Sequence, residues 1–127
     1  MITYLLAKRG RPAMPFANEA TYFLQSLVQG KIVAVKLLRK DQYRRVIGVV
    51  CPIHFCFFSG TDVSFALAKQ GYATLYTQGG AQYDGKKTLF ENEIHSAKNK
   101  KRGVWKNGSH EFVLPSEFKQ SLKRKKT

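Results

Sequence analysis

The chain is 127 residues long, enough for one domain with a modest core. It is 43% hydrophobic and 13% aromatic, which excludes a disordered composition despite a net charge of +14. The 22 Lys and Arg against 8 Asp and Glu favour a polyanionic partner (DNA, RNA or an anionic membrane face) over a merely solvated surface.

Two cysteines, Cys51 and Cys56, are too few for a disulfide framework, and no secretory signal marks the N-terminus, so a reducing compartment is expected. No apolar run approaches the roughly 20 residues of a membrane span. The nearest, 46–58, contains Pro52 and His54.

Residues 1–6 read as a short apolar strand end and 7–14 as a basic loop with Gly10 and Pro12. A helix is predicted over 15–29, where Phe16, Ala20, Phe23, Leu24, Leu27 and Val28 recur at helical spacing. Pro15 suits its first position, Gly30 its end, and Glu19 its first turn. Residues 31–39 read as a strand partly buried on both sides, with Val33, Val35 and Leu37 on one face and Ile32, Ala34 and Leu38 on the other. Its antiparallel partner is 45–51, with Gly48 marking a bulge or a sharp coil in the sheet. Between them Lys40-Asp41-Gln42-Tyr43-Arg44-Arg45 forms a polar hairpin loop, where rigid strands aim an aromatic, an acid and two arginines.

Pro52 breaks the strand, and 52–58 reads as an edge strand or packed loop. Thr61 or Asp62 caps a short helix over 63–70 that buries Val63, Ala66 and Leu67 and ends at Gly71. Residues 72–78 read as extended and 79–86 as a Gly-rich loop. A second long helix is predicted over 87–102, with Leu89, Phe90, Ile94, Ala97 and Lys101 on one face. Trp105 packs back to pin the C-terminal helix, a last helical turn follows Pro115, and 123–127 is read as a disordered basic tail.

The trio Cys51, His54 and Cys56 lacks a fourth zinc ligand, so it reads as core cysteines with a partly exposed histidine. The loop 78–85 opens no helix with Gly-Lys-Ser/Thr and is not a phosphate loop. It reads instead as a wall of a nucleic-acid cleft, with Tyr76 and Tyr83 as stacking groups. Lys98, Lys100, Lys101, Arg102 and Lys106 are either a helix end suited to its dipole or a backbone-tracking patch.

This order of elements, with certain residues, resembles the staphylococcal-nuclease-like (thermonuclease) family. The residues that carry the resemblance are 30–35 (GKIVAV), 41–45 (DQYRR) with 46–48 (VIG), Asp62-Val63-Ser64 with Leu67, Lys69, Gly71 and Ala73, and Ala97-Lys98 leading to Lys101-Arg102-Gly103-Val104-Trp105. The segment 11–20, residues 76–83 and Pro115-Ser116-Glu117-Phe118-Lys119 add to it, and the likeness is strongest to fungal endonucleases anchored in mitochondrial membranes. It covers about residues 7–119.

The resemblance implies an α+β fold: a mainly β, OB-type barrel with packed helices, here without its N-terminal strands. It implies calcium-dependent hydrolysis of DNA or RNA phosphodiesters, in which carboxylates hold the metal, a glutamate assists water and two arginines neutralise charge on the phosphate. Carried over by position, Arg45 is the second of those arginines and the candidate catalytic residue. Tyr43 is the aromatic near the nucleotide, and Asp41 braces the loop. Lys40, Arg44, Tyr76, Tyr83, Lys100 and Lys101 are candidate nucleic-acid contacts, and Asp41 and Trp105 are structural. A mitochondrial location is implied by the same likeness.

The family's Arg-x-x-Gly-x-Asp-x-Pro-Glu motif should lie at about residues 1–5, where Met1-Ile2-Thr3-Tyr4-Leu5 stands. No metal residue is therefore assigned, and Arg9 and Arg11 lie in the loop after the motif. The expectation is a partial domain over 1–119 with a basic tail over 120–127, a fragment of negligible activity with open sheet edges. The competing expectations are a non-catalytic nucleic-acid-binding or scaffold module on the same fold, and a small basic RNA-associated protein whose likeness is accidental.

Overall fold

The computed structural model describes the backbone of residues 2–3 and residues 14–53, 62–76, 81–108 and 112–126. Along the chain run β1 (Ile2–Thr3), α1 (Ala17–Val28), β2 (Val33–Lys40), β3 (Val46–Pro52), α2 (Val63–Lys69), β4 (Ala73–Thr74), α3 (Lys87–Asn99), a 3-10 turn (Gly103–Trp105) and α4 (Pro115–Arg124). The fold is α+β. His54, Cys56, His110, Arg9, Arg11 and the middle of the 78–85 loop lie outside the described residues.

β2 and β3 form an antiparallel hairpin running from Val33 opposite Pro52 to Lys40 opposite Val46. Pro52 thus ends β3 within the pairing, at a strand terminus where its missing N–H costs little. The register slips between Leu37 and Arg39, so Leu38 is the extra residue of a bulge. Gly48 sits against it: a Cβ there would stand 2.9 Å from Lys36 O.

β1 pairs with β4 through Ile2–Thr74 and Thr3–Ala73. The described strands make two separate two-stranded sheets, so the expected barrel is not closed. Closure requires each strand to be hydrogen-bonded on both edges, and among the described strands β2 and β3 bond only one another. The two-sided burial expected of β2 fails for the same reason, with Ile32, Val35 and Leu37 at 78%, 54% and 70% exposure.

The helices carry the core. α1 buries Ala17 and Ala20. Its Phe23, Leu24, Leu27 and Val28 pack on Val63, Leu67 and Ala73. Asp62 caps α2 by accepting the Ser64 N–H at 2.8 Å. α2 lies along α3, where Ala68, Phe90, Ile94, Ala97 and Trp105 form one cluster and Phe65 meets Phe90 at 5.9 Å between ring centres.

α3 ends at Asn99 rather than 102, which leaves Lys101 beyond the helix and exposed; Leu89 is exposed as well. The chain can turn there because Gly71 and Gly103 let two backbones touch. A Cβ on Gly71 would lie 2.2 Å from Arg102 O, and one on Gly103 2.4 Å from Gly71 O. Trp105, 2% exposed, meets Phe112 with the rings tilted at 48° and their centres 4.5 Å apart.

α4 is longer than one turn and runs to Arg124, into the segment expected to be a disordered tail. Pro115 starts it, and Glu117 accepts the Leu114 N–H at 3.1 Å. Phe118 packs it against Met14, Ala17 and Ala20.

Candidate nucleic-acid interface

The hairpin tip is organised by one carboxylate. Asp41 Oδ1 accepts the N–H of Tyr43 at 2.8 Å and of Arg45 at 2.9 Å, and Oδ2 accepts Arg45 Nε at 2.6 Å. The first of these is the local bond that an Asp makes to the backbone two residues on. The Asp41 N–H donates to Arg45 O at 2.8 Å and the Arg44 N–H to Asp41 O at 3.1 Å, which closes the loop. Arg44 takes a left-handed conformation (φ 61°), and Lys40 closes β2 as an exposed residue.

Desolvation opposes the Asp41 charge. The hydrogen bonds from Arg45 and Tyr43, with the Arg45 charge, outweigh it, so the carboxyl titrates below its ordinary value.

This brace leaves Arg45 half engaged. Its side chain is 73% exposed, while that of Asp41 is 17% exposed. Only Nε is taken, and among the described residues neither Nη has a partner. The guanidinium lies over the Tyr43 ring, 5.3 Å from its centre, and Tyr43 itself is 69% exposed. The loop therefore presents a fixed planar cation beside an exposed aromatic face. Those are the groups that grip a phosphate and stack on a base.

Tyr76 and Tyr83 are placed differently. Both are partly buried, and the Tyr83 hydroxyl donates to Tyr76 O. Lys87 Nζ covers the Tyr83 ring at 5.7 Å. Lys36 Nζ meets Asp84 Oδ1 at 2.7 Å and ties this loop to β2. The hydrogen bond from Lys36 holds the Asp84 carboxyl below its ordinary value. A shallow cavity lies between the two, lined by Leu38, Ile47, Gln82, Tyr83 and Phe90 among others. Lys100 and Lys101 are exposed just past the C-terminal end of α3. Trp105 lies in the core.

The described carboxylates do not fit a calcium site. No three metal-ligating side chains cluster among the described residues. Asp41 is occupied by three donors, Asp84 by Lys36, and buried Asp62 by the α2 cap. A hard cation wants several oxygen ligands at once, and the first Asp or Glu in the whole chain is Glu19 on α1.

Comparison with known proteins places this geometry. The chain is 38% identical over 119 residues to "Probable endonuclease LCL3" of Podospora anserina, covering 89% of this chain and 42% of that protein. It is 36% identical over 114 residues to "Endonuclease Htp3" of Saprolegnia parasitica, covering 89% and 52%. It is 35% identical over 115 residues to "Probable endonuclease LCL3" of Komagataella phaffii, covering 90% and 49%. The chain thus spans about two-fifths to half the length of these curated relatives. Residues 5–107, which include the hairpin, α2, α3 and Trp105, match the family described as "Staphylococcal nuclease homologue", and the chain belongs to that family.

Proposed function

We propose that this chain binds nucleic acid through its β2–β3 hairpin and acts within an endonuclease that hydrolyses phosphodiester bonds. Arg45 grips a backbone phosphate and Tyr43 stacks on a neighbouring base. The observation that carries this is the Asp41–Arg45 bond. It fixes one edge of the guanidinium and, among the described residues, leaves both Nη groups free to donate as a fork to two phosphate oxygens. Nuclease-family membership and the endonuclease names of the relatives support the same reading.

The chemistry these residues supply is charge stabilisation. A guanidinium neutralises charge that builds on the phosphate oxygens, but it neither makes nor deprotonates a nucleophile. The only carboxylate paired with Arg45 among the described residues is Asp41, and all of its bonds go to the loop. Calcium, implied by the family resemblance, finds no ligand set among the described residues. The 127 residues are therefore proposed to bind nucleic acid with negligible turnover. The resemblance to mitochondrial endonucleases supports a mitochondrial location, which imaging of a tagged copy tests.

Two readouts test the proposal. Anisotropy of a labelled oligonucleotide should show salt-dependent binding that Arg45→Ala weakens. Plasmid nicking in calcium should stay at background. Nicking that Arg45→Ala abolishes would overturn the second half, and binding indifferent to Arg45 would overturn the first.

A further inference from the structure

α2 and α3 end at one corner. Arg102 Nη1 donates to Lys69 O at 3.1 Å, and the Val104 N–H donates to Gly71 O at 3.1 Å. The backbone contact of Gly71 with Arg102 and Gly103 locks the two chain segments together. Six cations meet on this scaffold: Lys69, Lys98, Lys100, Lys101, Arg102 and Lys106. Lys98 lies over the Trp105 ring at 4.7 Å and Arg102 is tied to Lys69 O, while the other four are exposed. Among the described residues no carboxylate pairs with any of the six.

Helix dipoles do not account for so much charge. Two helix C-termini carry roughly −0.5 each, about one unit together. Six positive charges exceed that by about five, and holding them unpaired on a rigid turn costs self-repulsion that a polyanion would relieve. The surroundings favour nucleic acid over a lipid surface. No large apolar side chain is exposed across residues 98–108, whereas membrane-surface elements set apolar groups beside their cations.

The length of α3 separates the corner from the Lys36–Asp84 pair along the chain. Asp84, just before α3, meets Lys36 of β2, and α3 then runs 13 residues, about 20 Å, to the cations. Along it Thr88, Asn92, His95 and Asn99 are exposed at spacings of four and three; Glu91, three past Thr88 and four before His95, borders this polar strip, and Glu93 lies off it.

We infer that this corner is a second phosphate-binding surface, which holds the nucleic-acid backbone apart from the hairpin tip and makes affinity depend on strand length. It rests on the reading that the chain binds nucleic acid. α3 alone is about as long as six stacked nucleotides at 3.4 Å each. A trinucleotide reaches the hairpin alone, whereas a 16-mer reaches both.

The test compares the wild-type chain with Lys69→Gln/Lys100→Gln/Lys106→Gln, all exposed positions, after thermal unfolding shows equal stability. For a single-stranded 16-mer, the slope of log K against log salt should fall by about 2, near 0.7 per lost phosphate contact, with affinity at low salt falling roughly tenfold or more. Trinucleotide binding should be unchanged. Amide NMR of the wild-type chain should show shifts across residues 98–106 with the 16-mer and none there with the trinucleotide, a readout independent of the variant. An unchanged 16-mer slope, or equal losses for both lengths, would overturn the inference. So would a variant that loses binding to phosphatidylserine vesicles while keeping the 16-mer slope. If Arg45→Ala weakens the trinucleotide while the triple variant leaves the 16-mer untouched, the hairpin reading stands and the corner falls. The reverse pattern keeps the corner and removes the hairpin.

Discussion

Replacing Gly71 by alanine should cost far more than the same change at Gly30. Both glycines are left-handed, at φ 77° and 70°. Forcing an L-residue into that region costs about 1–2 kcal/mol at either site. Around Gly30 a new Cβ meets nothing within 4 Å, so the cost ends there. At Gly71 the Cβ would stand 2.2 Å from Arg102 O and 2.7 Å from Arg102 C. Those are backbone atoms held by the Arg102 N–H to Ala97 O bond at 3.0 Å, so they cannot swing aside as a side chain would. Relieving the overlap strains the turn by about 1–3 kcal/mol, as overpacking does. It also breaks the Val104 N–H to Gly71 O bond, worth about 1 kcal/mol. The sum for Gly71→Ala is about 3–6 kcal/mol. For a chain of this size each kcal/mol lowers Tm by roughly 3–6 °C. Calorimetry should then show Gly71→Ala melting at least ~10 °C below wild type, or not folding, with Gly30→Ala down by roughly 3–12 °C. Equal shifts for the two variants would show that the α2 and α3 ends do not cross as described.

Three further outcomes follow from the geometry. Asp41 is held below its ordinary carboxyl value, so its bonds to Tyr43 and Arg45 persist through neutral and mildly acid pH. The stability they give is lost as pH falls through the depressed value, below about 4. An NMR titration of the Asp41 carboxyl carbon should show this, and a midpoint above the ordinary value would contradict it. Lys36→Asp and Asp84→Lys should each shift the amide signals of residues 82–86, and the double reversal should restore them; no restoration would mean that the pair does not hold the loop. Phe90→Ala empties the site between Phe65, Ile94 and Trp105 and should destabilise the chain by about 3–5 kcal/mol in denaturant unfolding. A loss under about 1 kcal/mol would place Phe90 outside the core.

The hairpin was legible in the sequence because its signals are local. Apolar runs flank a polar loop, and Asp41 reaches the N–H two residues on, a bond that needs no distant partner. Asp62 as the α2 cap was readable for the same reason. The pairing of β1 with β4 was not, since strand pairing beyond a hairpin depends on residues far apart in the chain, although open sheet edges were expected. α4 hid behind its basic composition, and the Glu117 bond to the Leu114 N–H is the signal that could have revealed it. Lys36 and Asp84 lie 48 positions apart, and Lys69 joins the cations after α3 only through Arg102, 33 positions on. Tyr83 looked free for stacking, yet its hydroxyl and one ring face are taken by Tyr76 O and Lys87.

The most direct measurement of the central claim compares Arg45→Ala with Arg44→Ala in oligonucleotide binding. Both remove one exposed cation from the same loop, but only Arg45 is oriented by Asp41 over Tyr43. Phosphate gripping by a braced guanidinium predicts that Arg45→Ala weakens binding roughly tenfold or more, as loss of a charge-assisted bond of about 1.5–3 kcal/mol requires. Arg44→Ala should change it about two- to threefold, through diffuse charge alone. Equal effects of the two substitutions would contradict the account.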